Sequence, residues 1–274
     1  MTKNTSVTDK FNHLIEIMRR LRAPDGCPWD KEQTLSSLKR YIIEEAYELI
    51  EAIENEDNAN ICEEAGDLLL QVVFVSIIAD EQNFFNLSNV IDGISDKLKR
   101  RHPHVFGDLK LNDKSEVLNT WEKIKSRERK QEQNNHSILE GIPKTLPSLL
   151  KAYRMQERAA NVGFDWPKGA IATVLQKIDE EISEVKDAIK TKNKHRIEDE
   201  IGDSFFSIVN LCRHLEIDPE ESLNNASRKF ALRFQHIEET ISNSKKTWSD
   251  FSLEELEAFW IIAKLKENDK KIKN

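Results

Sequence analysis

A pattern of acidic residues occurs twice in this chain. In both copies Glu-Glu-x-x-Glu is followed by Glu-x-x-Asp, at residues 44–48 and 64–67 and again at residues 180–184 and 200–203. Matching acids are 136 residues apart in every case, and a Gly and a Trp upstream of each copy match at a separation of 137. A spacing held over this length predicts a tandem duplication, so the fold must consist of two copies of one domain.

The duplication sets the predicted domain boundaries. We place an N-terminal domain at residues 1–135 and a C-terminal domain at residues 136–274, with the junction in a polar stretch. Each half has a length that is ordinary for a small domain.

Helical periodicity is the dominant local pattern. Apolar residues at positions 11, 14, 15, 18 and 21, and later at 35, 38, 42, 46, 49 and 53, follow the spacing of one helix face. The chain contains only 8 glycines, whereas average usage predicts about 19. We find no convincing alternating strand, and predict an all-α fold of two tandem helical bundles.

Charge and cysteine content narrow the classes of partner. A net charge of −8 and a pI near 5.5 disfavour binding to nucleic acid or to anionic membranes. Three cysteines without a Cys-x-x-Cys motif favour a reducing cytoplasm. The run from Leu68 to Ala79 is too short to span a bilayer, so we interpret it as a buried helix.

The acids of the second copy are predicted to converge. Glu181 and Glu184 lie on one helix face, and the pair at positions 200 and 203 repeats that spacing on the next helix, after a short turn at 190–195. Two carboxylates about 4 Å apart repel by roughly 4 kcal/mol at an effective dielectric near 20. Oxygen ligands of this kind favour Mg²⁺, with Mn²⁺ as a substitute, and point to phosphate chemistry.

Two alternatives explain the same acids. One such pair alone is usually a solvated helix face, but two pairs duplicated at constant spacing make this less favourable. A carboxylate-bridged di-iron bundle requires Glu-x-x-His motifs, and the second motif here is Glu-x-x-Asp in both copies.

These motifs resemble those of the MazG family of nucleoside triphosphate pyrophosphohydrolases, which has the pattern Glu-Glu-x-x-Glu followed by Glu-x-x-Asp. The likeness extends to GCPWDKEQT at 26–34, SDKLKRRHPHVF at 95–106, ANVGFDW at 160–166 and RKFALRF at 228–234. It implies helical domains, a homodimer and Mg²⁺-dependent hydrolysis of nucleoside triphosphates (NTPs, including dNTPs) between the α- and β-phosphates, giving NMP and pyrophosphate.

The resemblance also implies roles for individual residues. It favours the C-terminal copy as the catalytic one and makes its acids the metal ligands: Glu181, Glu184, Glu200 and Asp203. Glu180 is then the acid that orients or deprotonates water, and Asp203 also contacts the nucleotide. The matching acids of the first copy are weaker metal candidates: Glu45, Glu48, Glu64 and Asp67.

Cations and one aromatic complete the implied nucleotide site: Lys177, Arg196, Lys229, Arg233 and Trp260. Of these, Lys229 and Arg233 are assigned to catalysis as well as to binding. The first copy has Tyr41 where the second has Lys177, which weakens the first copy as a catalyst. A non-catalytic nucleotide-binding or partner-binding module with the same metal cluster is the rival hypothesis, and no Walker-type glycine loop is present.

The remaining aromatic and apolar residues suggest packing. We interpret Trp29 and Trp166 as core residues that close each bundle, with stacking on a base as the alternative. The run Phe205, Phe206, Ile208 and Val209 is predicted to be core.

Overall fold

The computed structural model describes residues 6–111, 137–244 and 246–273, with single positions between 113 and 128 and side chains as far as residue 266. The chain divides into two units, residues 1–129 and 130–274. Both this division and the predicted junction between residues 135 and 136 lie outside the described residues, so the predicted boundary stays a prediction.

The first unit is built from helices. They are α1 (Val7–Arg22), α2 (Pro28–Glu32), α3 (Leu38–Glu54), α4 (Asn58–Glu81), α5 (Leu87–Arg101) and α6 (Pro103–Phe106). The antiparallel pair α3 and α4 forms the main packing interface, and α1 packs against α4. Among the described residues no regular strand occurs, so the prediction of an all-α fold is confirmed.

The second unit repeats this arrangement. Its helices are α7 (Ser148–Ala160), α8 (Ile171–Thr191), α9 (Lys194–His214), α10 (Pro219–Ser244) and α11 (Leu253–Lys273), with a 3₁₀ turn at Trp248–Asp250. Helix α9 packs against α8 and α7, and α10 packs against α7 and α11.

The predicted tight turn between the two acidic helices is present in both units. In the second, Lys192 has φ of 56° and ends α8, and the Asn193 side chain accepts hydrogen bonds from the backbone N–H groups of His195 and Arg196. In the first unit, Glu56 has φ of 54°, and the Asp57 side chain accepts hydrogen bonds from the backbone N–H groups of Ala59 and Asn60. Glu56 and Asp57 lie 136 residues before Lys192 and Asn193. The duplication therefore extends to the cap that sets the register of the two helices.

The first unit has a dense apolar core. Its buried members come from α1, α3 and α4: Met18, Leu38, Val73, Phe74, Ile77 and Ile78. Seven residues between Leu68 and Ala79 are buried, and five of these seven are apolar. This agrees with the interpretation of the run as a buried helix.

The prediction of a core run on α9 is correct for Val209 and wrong for its three neighbours. Val209 is fully buried, but Phe205 is 59% exposed, and Phe206 and Ile208 are also exposed. Helices α8 and α7 cover only part of α9, and among the described residues its remaining apolar side is exposed. None of the helices in the described part of the chain is long and apolar enough to cross a membrane.

Candidate active site

Three carboxylates meet where α8 and α9 run side by side. Glu181 and Glu184 from α8 and Glu200 from α9 each offer an oxygen atom, and these atoms lie within 4.8 Å of one another. Glu181 is 6% exposed, which is unusual for a glutamate. The antiparallel pairing after the tight turn therefore brings together three of the four predicted metal ligands.

The fourth predicted ligand, Asp203, is not a member of this group of three. It lines a cavity that Glu181 also lines. Its predicted roles as a metal ligand and as a nucleotide contact stay predictions.

The charges of the cluster oppose one another. Burial, and then the neighbouring charges of Glu181 and Glu200, raise the pKa of Glu184 above its usual value. Three crowded carboxylate oxygens are the donor set that a hard divalent cation prefers, and its charge would relieve their repulsion. The residues present therefore fit Mg²⁺ or Mn²⁺.

Lys177 balances part of this charge. Its ammonium Nζ lies 2.8 Å from Glu181 Oε1 and 2.9 Å from Glu180 Oε1, one helical turn away on α8. Hydrogen bonds to Glu181 and then to Glu180 raise the pKa of Lys177 well above its usual range. Arg196 is more remote, with Nε 3.8 Å from Glu200 Oε1.

A cavity of about 780 Å³ opens beside the carboxylates. Helices α7, α8 and α9 and the loop before α8 supply its wall, which is mainly apolar. Trp166 and Phe164 are among the lining residues, and the charged residues of the lining are Asp165, Lys177, Glu181, Asp203 and Arg213. A volume of this size fits a nucleoside.

Part of the cavity wall is a polar network. The Arg213 guanidinium donates to both carboxylate oxygens of Asp165 and to Asn210 Oδ1, and these contacts hold the pKa of Asp165 below its usual value in spite of burial. The buried His214 also contacts Asp165, with Nε2 3.1 Å from Oδ1. Gln156 donates from Nε2 to the Phe206 carbonyl oxygen, and its own amide oxygen is buried without a donor.

Sequence reasoning missed this network. The signal was present in the duplication: positions 136 residues before Asn210, Arg213 and His214 are occupied by Phe74, Ile77 and Ile78. Polar residues at positions that are apolar in the other copy mark a wall that faces something other than a core.

Four predicted nucleotide contacts are not among the described residues that line this cavity: Arg196, Lys229, Arg233 and Trp260. Lys229 and Arg233 lie on α10 and Trp260 lies on α11, where the Arg233 guanidinium stands over the Trp260 ring at 5.5 Å from its centroid. Lys229, Arg233 and Trp260 therefore lie on the two packed helices α10 and α11.

The two tryptophans do not close the bundles as predicted. Trp29 is 51% exposed and packs edge-on against Tyr41, with ring centroids 5.8 Å apart. Trp166 lines the cavity and is also partly exposed, so base stacking stays the alternative interpretation of this residue.

The first unit has an equivalent carboxylate group without the lysine. Glu45, Glu48 and Glu64 offer oxygen atoms within 4.8 Å of one another, and Asp67 again is not among the three. Burial, and then the charges of Asp67, Glu48 and Glu64, raise the pKa of Glu45. The position of Lys177 is occupied in this copy by Tyr41, whose hydroxyl accepts a hydrogen bond of 2.7 Å from Arg40.

Comparison with protein families gives a single match that occurs twice. The model of the MazG nucleotide pyrophosphohydrolase domain matches residues 33–106 and again residues 170–238. This chain belongs to the MazG family. The double match confirms the tandem arrangement of two such domains, and the chain is a hydrolase that acts on acid anhydrides.

Two relatives align with this MazG chain over nearly their whole length. The nucleoside triphosphate pyrophosphohydrolase of Escherichia coli K12 is 42% identical over 95% of this chain and 99% of its own length. The nucleoside triphosphate pyrophosphohydrolase/pyrophosphatase MazG of Thermotoga maritima is 44% identical over 93% and 95%. A solved mazG-related protein from Thermotoga maritima covers 42% of the chain at 29% identity, with a TM-score of 0.37.

Proposed function

We propose that the C-terminal copy hydrolyses nucleoside triphosphates between the α- and β-phosphates in the presence of Mg²⁺ and releases NMP and pyrophosphate. The observation that supports this proposal is the group of three carboxylates beside a cavity of about 780 Å³. Lys177 lines this cavity and forms an ion pair with Glu181 of the group. The names of the full-length relatives support an NTP as the substrate.

Glu181, Glu184 and Glu200 would hold the metal. Bound there, Mg²⁺ supplies charge neutralisation for the phosphates and lowers the pKa of a coordinated water. Glu180, next to these ligands and 2.9 Å from Lys177, is placed to orient the attacking water and accept its proton. The Lys177 ammonium then offsets negative charge on the phosphates as the anhydride bond breaks.

The cavity is the proposed seat of the nucleoside. Its apolar lining gives the base and ribose a desolvated surface, and Trp166 offers a ring for stacking. Asp203, which lines the same cavity, would contact the nucleotide and remains a proposed fourth metal ligand. The Asp165–Arg213–Asn210 network fixes the polar side of the wall.

Lys229, Arg233, Arg196 and Trp260 remain proposed nucleotide contacts. A homodimer is part of the same proposal, supported by the uncovered apolar side chains of α9, such as Phe205 and Ile208. Light scattering on the purified chain tests it. We also propose a cytoplasmic location, in keeping with three free cysteines.

The decisive experiment is product analysis with the Glu200→Gln variant. This change keeps the shape of the side chain and removes one charge from the carboxylate group, so NMP and pyrophosphate release should fall by about a hundredfold or more. Glu198→Gln, an exposed acid on the same helix whose Oε1 is 3.6 Å from Lys194, is the matched control. Equal turnover in the wild type and in Glu200→Gln excludes this site.

A further inference from the structure

Lys177 forms an ion pair with a carboxylate that a bound metal would also use. Its Nζ lies 2.8 Å from Oε1 of Glu181, and Glu181 is a member of the three-carboxylate group. An ammonium in this contact repels a divalent ion at the same carboxylates. A metal therefore binds to Glu181 most favourably when the lysine has moved away.

The lysine needs a new anion in order to move. Lys177 is also 2.9 Å from Glu180, and both Lys177 and Glu181 line the cavity, so the lysine is in contact with the carboxylates and with the space proposed for the nucleotide. A triphosphate is the anion that the proposed reaction brings to this place. Its phosphate oxygens can take the ammonium while they contribute ligands to the metal.

We propose that Lys177 is a positioning residue that reserves Glu181, so that the C-terminal site takes up its divalent metal together with a triphosphate and only weakly alone. The inference rests on the proposed function for the identity of the anion. Its consequence is a positive coupling between metal and nucleotide that is larger than direct metal–phosphate contact would give.

The first copy is a natural comparison for this inference. Tyr41 stands one turn before Glu45, as Lys177 stands one turn before Glu181, and its hydroxyl is engaged by Arg40. The carboxylate group of the first copy likewise has its three oxygen atoms within 4.8 Å of one another. It should accept a free divalent ion more readily than the second copy does.

The test is calorimetric titration of the full chain with Mg²⁺ in the absence of nucleotide. Glu45→Gln and Glu64→Gln silence the first copy, and Lys177→Met is then added to this parent. We expect about tenfold tighter binding of free Mg²⁺ in the Lys177→Met chain, within the usual range of coupling between sites. With an α,β-methylene NTP present, the gain in Mg²⁺ affinity caused by the nucleotide should shrink by about the same factor.

Two matched controls separate the lysine contact from charge alone. Arg196→Met removes a cation whose Nε is 3.8 Å from Glu200, and Lys190→Met removes an i,i+3 ion pair with Asp187 from the same helix. Each should change the affinity for free Mg²⁺ by less than about threefold. A gain in Arg196→Met equal to that in Lys177→Met overturns the inference, because net charge would then explain both.

The reciprocal change supplies an independent arm. In a chain with Glu181→Gln and Glu200→Gln, Tyr41→Lys places a lysine at the same spacing from Glu44 and Glu45, and free Mg²⁺ should bind about tenfold more weakly. Unchanged Mg²⁺ affinity in Lys177→Met overturns the inference, even if the wild type hydrolyses NTPs. If the wild type releases no NMP, the proposed function fails, and free Mg²⁺ binding still decides whether Lys177 reserves Glu181.

Discussion

The two copies differ most where helix α4 or α9 faces the interior of its own unit. In the first copy this face is filled by apolar side chains that form part of the buried core: Phe74, Ile77 and Ile78. In the second the matching residues are polar, and two of the three line the cavity: Asn210, Arg213 and His214. The first unit is densely packed at this point. The second has a cavity whose wall includes the ion pair between Asp165 and Arg213.

The acidic groups differ much less than these surroundings. Both copies bring three glutamates to within 4.8 Å across the same helix pair. The second copy has Lys177 beside its acids and a cavity of about 780 Å³ next to Glu181. The acidic motif is therefore shared by the two copies, whereas the polar residues at positions 210, 213 and 214 and the lysine distinguish the second from the first.

The largest expected difference between the copies is in turnover. Glu181→Gln should lower NMP release by about a thousandfold, because it removes the most buried of the proposed metal ligands. Glu45→Gln, the same change in the first copy, should leave turnover within about threefold of the wild type. Chromatographic assay of NMP from both variants checks this. The reverse ranking would assign catalysis to the first copy.

The packed face of the first copy should carry much of its stability. Phe74 is 3% exposed, and Phe74→Ala should cost about 3 kcal/mol through lost burial and the void left behind. Phe84→Ala is the matched control, since Phe84 belongs to the same unit and is 69% exposed; it should cost well below about 1 kcal/mol. Urea unfolding monitored by circular dichroism measures both. Equal costs would mean that Phe74 is not in a tight core.

The open face of the second copy can be converted toward that of the first. Asn210→Phe places there the residue that the first copy has at position 74, which should obstruct the cavity. We expect the KM for NTPs to rise by about tenfold, with a smaller change in kcat, because the carboxylates are untouched. Arg213 keeps Asp165 as its partner in this variant. An unchanged KM would show that the nucleoside does not use the cavity.

Most of the fold followed from local patterns in the sequence. Helix α1, the pair α3 and α4, and the tight turn before α9 were set by periodicity and spacing, which depend on near neighbours along the chain. The exposure of Phe205 and Phe206 could not be predicted in this way, because an apolar run does not reveal how much of a helix its neighbours cover.

The candidate site likewise has one part that the sequence predicts and one part that it does not. Convergence of Glu181, Glu184 and Glu200 could be predicted, because helix geometry and one short turn determine it. The cavity beside that group depends on the packing of α7 against α9, which residue spacing does not encode.

The smallest expected difference is in the response to Mg²⁺ and pH. The pKa values of Glu45, Glu64 and Glu184 are raised by burial first and by neighbouring acids second. Such a carboxyl binds a proton more readily in the folded than in the unfolded chain. Its contribution to stability is therefore fully present below the unfolded pKa, near 4.5, and is lost as the pH rises through the folded pKa.

Mg²⁺ should restore that lost stability only where the acids are ionised. At about pH 7 millimolar Mg²⁺ should raise Tm by about 2–4 °C, and the shift should shrink toward about pH 5, as protons replace the cation. Because Tyr41 leaves the first copy without the Lys177 contact, Glu45→Gln should remove more of the shift than Glu181→Gln does. Scanning calorimetry at the two pH values measures this. A shift that is equal at both values, or unaffected by either variant, would mean that Mg²⁺ stabilises the chain somewhere other than at the two carboxylate groups.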